Sequence, residues 1–341
     1  MAEPRTKKQK FSHLYGKIVR STPPPGTPPV EKQKYLSDPH TVEVIGVSFS
    51  AGQPKLGVEA GPDLLIREGI LDQLERLGWI VNCPDALPSY EHHEPEKDGE
   101  DYGILKNVEY VSRVTKDVHH TLKAAAKKGH LALTLGGDHS IGIATVSGAC
   151  AVWPDIGVIW VDAHADINTA ETTDSGNLHG CPVSFLMGIG PKVKAFDWLK
   201  PCLKKDRIVY IGLRDVDSGE KKLLKEHGIK AFSMHDVDKY GIAGIMKQTF
   251  DYLGHNTPIH LSFDVDAMDP SIAPATGTPV RGGLTFREGH YICEEIFETG
   301  RLVSMDMVEV NPALALDEQA KKTTIAVGCS LIRASMGETL L

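Results

Sequence analysis

A chain of 341 residues, 41% hydrophobic and 24% charged, carries enough apolar material for a large core, in one big α/β domain or two smaller ones. Its formal charge of −8 argues against nucleic acid as the main partner, because a phosphate-binding surface needs clustered Lys and Arg. No apolar stretch approaches the roughly 18 residues of a membrane span, and no hydrophobic signal-peptide core opens the chain.

Residues 1–37 stand apart in composition. Met1 to Arg20 holds Arg5, Lys7, Lys8, Lys10, Lys17 and Arg20 against the single acid Glu3, and a Pro-rich run from Ser21 to Pro29 follows. Phe11, Leu14, Tyr15 and Ile18 fall at helical spacing, so the segment is similar to a mitochondrial presequence, although it is Lys-rich and Ser-poor. A disordered, solvated tail through residue 37 is the expectation. The six cysteines are scattered with no Cys-x-x-Cys pair and read as the reduced thiols of a cytoplasmic protein, with the mitochondrion as the alternative suggested by the tail.

From Val42 the pattern becomes strand, loop, helix, repeated. Strands are predicted at Val42–Val47, Trp79–Val81, Leu131–Leu135, Gly157–Val161, Ile208–Ile211, Ile259–Phe263 and Leu302–Val308. Val108, Val111, Val114, Val118 and Leu122 mark one helix; Ile245, Thr249, Tyr252 and Leu253 fit another. Thr285-Phe286-Arg287-Glu288 has the form of a capping box opening a third. Continuous apolar strands alternating with helices imply one α/β domain over residues 38–341, with a mostly parallel central sheet covered by helices on both faces. Glu91-His92-His93-Glu94 belongs to a charged loop in which no strand positions the His pair.

Five polar motifs follow predicted strands: Gly136-Gly137-Asp138-His139-Ser140, Asp162-Ala163-His164-Ala165-Asp166, Arg214-Asp215-Val216-Asp217, Asp264-Val265-Asp266 and Glu309-Val310-Asn311-Pro312. Ligands of parallel sheets bind beyond the carboxyl ends of the strands, so five such motifs point to one site. In Asp162-x-His164-x-Asp166 a period of two places alternate side chains on one side of an extended segment. Gly136-Gly137 permits close backbone approach or positive φ before His139. Carboxylates and imidazoles without thiolates favour a hard or borderline cation such as Mn²⁺, and the charges of Asp162, Asp166, Asp264 and Asp266 balance two divalent ions. The expectation is a two-metal hydrolase.

At these residues the chain resembles the ureohydrolase family, and within it the arginases. The likeness runs from Lys55-Leu56-Gly57-Val58-Glu59-Ala60-Gly61-Pro62 to Gly337-Glu338-Thr339, and the ending Ile332 to Leu341 is similar to fungal members. The resemblance implies a three-layer sandwich of the arginase/deacetylase kind with two Mn²⁺ per subunit. One ion would take His139, Asp162, Asp166 and Asp264, the other His164, Asp162, Asp264 and Asp266. It further implies hydrolysis of L-arginine to L-ornithine and urea, by attack of a metal-bridging hydroxide on the guanidinium carbon.

Asn168, Thr173, Ser175 and Asn177 match positions that bind the substrate α-carboxylate, and Asp217 and Glu220 match the α-ammonium end. Glu309 matches the group that grips the guanidinium, Thr278 a supporting position, and His179 the mobile acid–base histidine. Asp166 would carry the proton to the leaving nitrogen. Asp138, Asp215 and Asp269 are expected to orient neighbours or support loops. Metal motifs are shared with agmatinases, so an agmatinase or other guanidino-acid hydrolase is the alternative among enzymes. An inactive metal-bound regulatory protein is the alternative outside them. The resemblance also implies a homotrimer with Arg287, Glu288 and Arg333 at the subunit boundary.

Overall fold

The computed structural model describes residues 17–88, 90 and 102–339. The His92–His93 pair lies outside the described residues. Among those described, one sheet holds β1 (Ile18–Ser21), β2 (Thr41–Gly46), β3 (Ile80–Pro84), β4 (Leu131–Leu135), β5 (Gly157–Val161), β6 (Ile208–Leu213), β7 (Lys230–Ser233), β8 (Ile259–Asp264) and β9 (Leu302–Val308). Their order across the sheet is β1-β3-β2-β4-β9-β8-β5-β6-β7, and every pairing is parallel except β1 with β3. All seven predicted strands are present. Every residue of β2, β4, β5, β6, β8 and β9 is buried, which is why those strands read as mostly apolar runs rather than as alternation, with Glu43, His260, Ser262, Ser304 and Asp306 as polar exceptions.

The helices lie in two packed groups. α3 (Val108–Lys127) packs on α4 (Gly142–Cys150), and α4 on α5 (Pro182–Met187). In the other, α9 (Glu318–Ser335) gathers α1 (Gly61–Arg67), α2 (Ile70–Arg76) and α8 (Phe286–Glu298), and α7 (Met234–Leu253) joins through α8. α6 (Ser218–His227) follows β6. In α3 the five residues that predicted the helix are all buried, as a single core-facing stripe requires. At α8 the capping box forms: Thr285 Oγ accepts from Glu288 N, and Glu288 Oε2 accepts from Thr285 N at 2.8 Å.

The expected solvated tail needs correction from residue 17 onward. Ile18 belongs to a strand rather than a helical stripe, β1 pairs along the free edge of β3, and Val30, Gln33 and Leu36 are buried. β7 is the other unpredicted strand. Both are four-residue edge strands in which polar residues interrupt the apolar run, so neither carries the signal of a buried strand.

The strands that end in the five polar motifs, β4, β9, β8, β5 and β6, are five consecutive neighbours. Gly137 shows how tightly their ends pack. It has no positive φ; what its missing side chain permits is approach, since a Cβ there would lie 1.7 Å from Phe49 O. That proximity lets Phe49 O accept from Asp138 N at 3.1 Å while Gly137 O accepts from Glu309 N at 2.9 Å. Gly137→Ala collides with backbone that no rotamer change relieves. It is expected to lower unfolding free energy by about 3 kcal/mol or more, read from the midpoint of urea denaturation.

Candidate metal centre

Three strand ends use the same local device. Asp138, Asp162 and Asp264 each accept, through Oδ1, the backbone N–H two residues on: Ser140 N at 3.0 Å, His164 N at 2.7 Å and Asp266 N at 2.7 Å. These Asp-initiated turns account for the Asp-x-His and Asp-x-Asp spacings, in place of the extended period of two. Each turn occupies one carboxylate oxygen and leaves the other to face elsewhere. Asp138 gives its second oxygen to Gly52 N at 2.8 Å, which anchors the loop before α1. Asp162 and Asp264 turn theirs into the site.

Two groups form there. His139 Nδ1 lies 3.1 Å from Asp162 Oδ2, 3.1 Å from Asp166 Oδ2 and 3.2 Å from Asp264 Oδ2. His164 Nδ1 lies 3.3 Å from Asp162 Oδ1 and 3.1 Å from Asp266 Oδ2. Asp162 therefore touches both groups with different oxygens. Asp264 faces the first group through Oδ2, while its Oδ1 accepts from Asp266 N, a residue of the second. Trp160, which the sequence reading passed over, stacks on His139 at 4.1 Å between ring centres and donates Nε1–H to Asp162 Oδ2 at 3.0 Å.

The electrostatics call for added positive charge. Burial and the neighbouring Asp162 charge push Asp166 up to about 6, against the pull of His139. Burial and the charges of Asp266 and Asp162 lift Asp264 well above the carboxylate range. Burial opposes ionisation of Asp162 as well, but the imidazoles of His139 and His164 beside it hold it below the usual value. For His139, three carboxylates outweigh burial and raise its affinity for a proton. A cation in place of those protons satisfies every group, and the donor set suits one. His139 Nδ1 is buried and makes no hydrogen bond of acceptable geometry, although three oxygens converge on it, as befits a metal-ligand nitrogen.

Beside these groups opens a cavity of about 220 Å³ lined by His164, Asp166, Asn168, Ser175, His179, Asp217, Glu220, Asp264 and Thr278 among others. Asn168 Nδ2 donates to Asp217 Oδ2 at 2.6 Å, joining the two expected ends of a substrate site. Asp217 and Glu220 also form the capping box of α6, so its N-terminus and the cavity wall share the same carboxylates. Burial and the charges of Asp166 and Asp217 push Glu220 up to about 8. Thr278 Oγ1 donates to Asp266 Oδ2 at 2.8 Å, a supporting contact.

Thr173 and Asn177 are not on the cavity wall, and the Thr173 hydroxyl accepts from Gly176 N at 3.1 Å within its own loop. Glu309 sits deeper. Its Oε1 accepts from His139 N at 2.9 Å and meets His179 Nδ1 at 3.1 Å. Burial disfavours charge on His179, but Glu309 outweighs it and raises the imidazole to about 9. Asp215 is exposed, 3.7 Å from His164 Nε2, and Asp269 organises a turn by accepting from Ser271, Gly282 and Gly283. Arg214 is another missed contributor: it donates to the carbonyls of Asp266 at 2.6 Å, Ala267 at 3.0 Å and Met268 at 3.2 Å, holding the Asp266 turn.

Comparison with known proteins agrees with this geometry. The model of the Arginase family matches residues 40–337. An arginase of Glaciozyma antarctica is 54% identical over 314 residues, covering 90% of each chain. An arginase of Neurospora crassa is 52% identical over 324 residues, covering 92% of this chain and 90% of its own. The solved structure of the Bacillus caldovelox arginase superposes with a TM-score of 0.81 at 38% identity, over 89% of this chain and all of that one.

Protein equilibrated with Mn²⁺ is expected to hold close to two ions per chain by elemental analysis. Asp162→Asn, which touches both groups, should lose most of both, whereas Asp266→Asn should lose about one. Affinity should fall as pH drops through about 6, where Asp166 takes up its proton and competes with the ion. A single tight ion in the unmodified chain, unaffected by Asp266→Asn, would rule out the two-group arrangement.

Proposed function

The chain belongs to the arginase family, and on that premise we propose that it is an arginase, hydrolysing L-arginine to L-ornithine and urea with two manganese ions per subunit. The observation that carries this reading is the meeting, in one cavity, of two His–Asp groups with a polar wall of Asn168, Ser175, Asp217 and Glu220. His139, Asp162, Asp166 and Asp264 would hold one ion, and His164, Asp162, Asp264 and Asp266 the other. Manganese suits a donor set of carboxylates and imidazoles without thiolate. When bound, the ions supply Lewis acidity that brings the pKa of water toward neutrality and so furnishes hydroxide for the attack.

The side chains of this protein supply the rest. Glu309 receives the guanidinium N–H groups, taking over from the contact that His179 makes with its Oε1. Its position fixes the guanidinium carbon for addition of the oxygen. Asp217 and Glu220 face the α-ammonium group, whose charge offsets the burial that keeps Glu220 protonated. Asn168 and Ser175 offer hydrogen bonds to the α-carboxylate. As the new C–O bond forms and the bond to the ornithine nitrogen breaks, Asp166 delivers the proton to that nitrogen. His179, released from Glu309 and about one-fifth exposed (21%), carries the proton lost by the attacking water to solvent.

Agmatine lacks the α-carboxylate, so the ratio of kcat/KM for arginine to that for agmatine tests the substrate assignment. Urea release by the Mn²⁺-loaded protein should favour arginine by at least about a hundredfold. Asp217→Asn keeps the α6 cap acceptor and removes the charge. It should raise KM for arginine about tenfold or more with Mn²⁺ content unchanged, and loss of metal would show that Asp217 serves the ions instead.

The same reading assigns a cytoplasmic protein, supported by six cysteines that are all free thiols. It also assigns a homotrimer. Arg287 is exposed beside Phe286, itself 42% exposed, on the first turn of α8, which is the kind of mixed aromatic and Arg surface that anchors interfaces. Glu288 is partly committed to the α8 cap. Arg333 reaches Glu338 at 2.9 Å and Gln73 at 2.7 Å within its own chain, so its part would be to rigidify that surface. Light scattering should report three times the 37.1 kDa chain mass; a value near one chain mass would discard the trimer.

A further inference from the structure

Behind His139, away from the carboxylates, buried polar groups form a continuous run. His139 Nε2 lies 2.8 Å from Ser262 Oγ, and Ser262 Oγ donates to Asp306 Oδ1 at 2.6 Å. Thr145 Oγ1 donates to Asp306 Oδ2 at 2.5 Å, and His260 Nε2 lies 3.2 Å from the same oxygen. His260 Nδ1 meets Ser304 Oγ at 2.7 Å. Ser262, His260, Ser304 and Asp306 lie on the neighbouring strands β8 and β9, are fully buried, and do not line the substrate cavity. A carboxylate–imidazole pair in such a place is costly to desolvate and is weak as a source of stability, which directs attention to what it organises.

A hydroxyl has one proton. Ser262 commits its proton to Asp306, so toward His139 it can only accept, and His139 Nε2 must carry hydrogen. With that proton fixed, the one His139 gives up is on Nδ1, the nitrogen facing Asp162, Asp166 and Asp264. We propose that Asp306, braced by His260 and Thr145, is a positioning residue that acts through Ser262 to set the His139 tautomer and thereby hold the His139-side metal ion. This inference rests on the two-ion reading above. His164 has no such backing: its Nε2 faces Asp215, whose side chain is 67% exposed. The effect of Asp306 is therefore confined to one of the two ions.

A stepwise Mn²⁺ titration followed by the EPR signal of the free ion tests this. Asp306→Asn, whose amide can offer Ser262 a hydrogen in place of an acceptor, is expected to weaken one ion about 10- to 100-fold. The other should change by no more than about twofold. On a His139→Asn background, adding Asp306→Asn should shift the remaining ion by less than about twofold, because the group through which Asp306 acts is gone. Ser262→Ala leaves the Asp306 pair in place and removes only the link; it should reproduce the loss, and it decides the matter if Asp306→Asn does not fold. Wild-type affinity for both ions, equal weakening of both, or further loss on the His139→Asn background would overturn the proposal. An unmodified chain that binds fewer than two ions would instead remove the two-ion reading on which it rests.

Discussion

Asp162, Asp166, Asp264 and Asp266 stand beside two imidazoles in a space with little access to water, where they repel unless something positive or hydrogen-bonding holds them. What holds them at the strand ends is the backbone. A carboxylate that accepts the N–H two residues ahead is fixed in place by its own chain and keeps one oxygen available. The parallel sheet supplies the rest of the constraint, because only strands running the same way deliver all such turns to one edge. The close packing at Gly137, the Arg214 cage around the Asp266 turn and the stacked Trp160 keep those turns from drifting apart.

Two ordinary residues occupy unusual backbone here. Asp166 has φ of 48° and Glu309 of 61°, two of the three non-glycine residues with positive φ among those described. Each such conformation costs on the order of 1–3 kcal/mol and persists only where its surroundings impose it. Val183 N donates to Asp166 O at 2.9 Å and Glu309 N donates to Gly137 O at 2.9 Å, so both are pinned from outside. The strain falls on the two carboxylates assigned to the leaving group and the guanidinium, where aim matters most.

Much of this was legible in the residues. β4, β5 and β9 fall at their predicted bounds, because a strand buried on both faces is predominantly apolar, and the candidate metal ligands were visible because Asp and His follow such runs abruptly. What stayed hidden obeys the opposite logic. Ser262, His260 and Asp306 sit inside strands, where single polar residues among Leu, Phe and Met read as tolerated exceptions, and only three-dimensional pairing shows that they face one another. The short edge strands β1 and β7 have too few buried residues to mark themselves. The local hydrogen bond that fixes Asp264 and leaves its Oδ2 turned into the site is likewise seen only in three dimensions.

The place of β9 has a consequence for biosynthesis. Although it is the last strand in sequence, it lies between β4 and β8 in the middle of the sheet. Until roughly 300 residues have left the ribosome, the strands that bear His139 and Asp264 have no common neighbour, and each offers a bare apolar edge. Such edges are templates for wrong partners, and parallel pairing between distant segments is slow to form. A nascent chain of this protein is therefore exposed to misassembly until β9 arrives, and chaperone demand should be concentrated in the interval before it does.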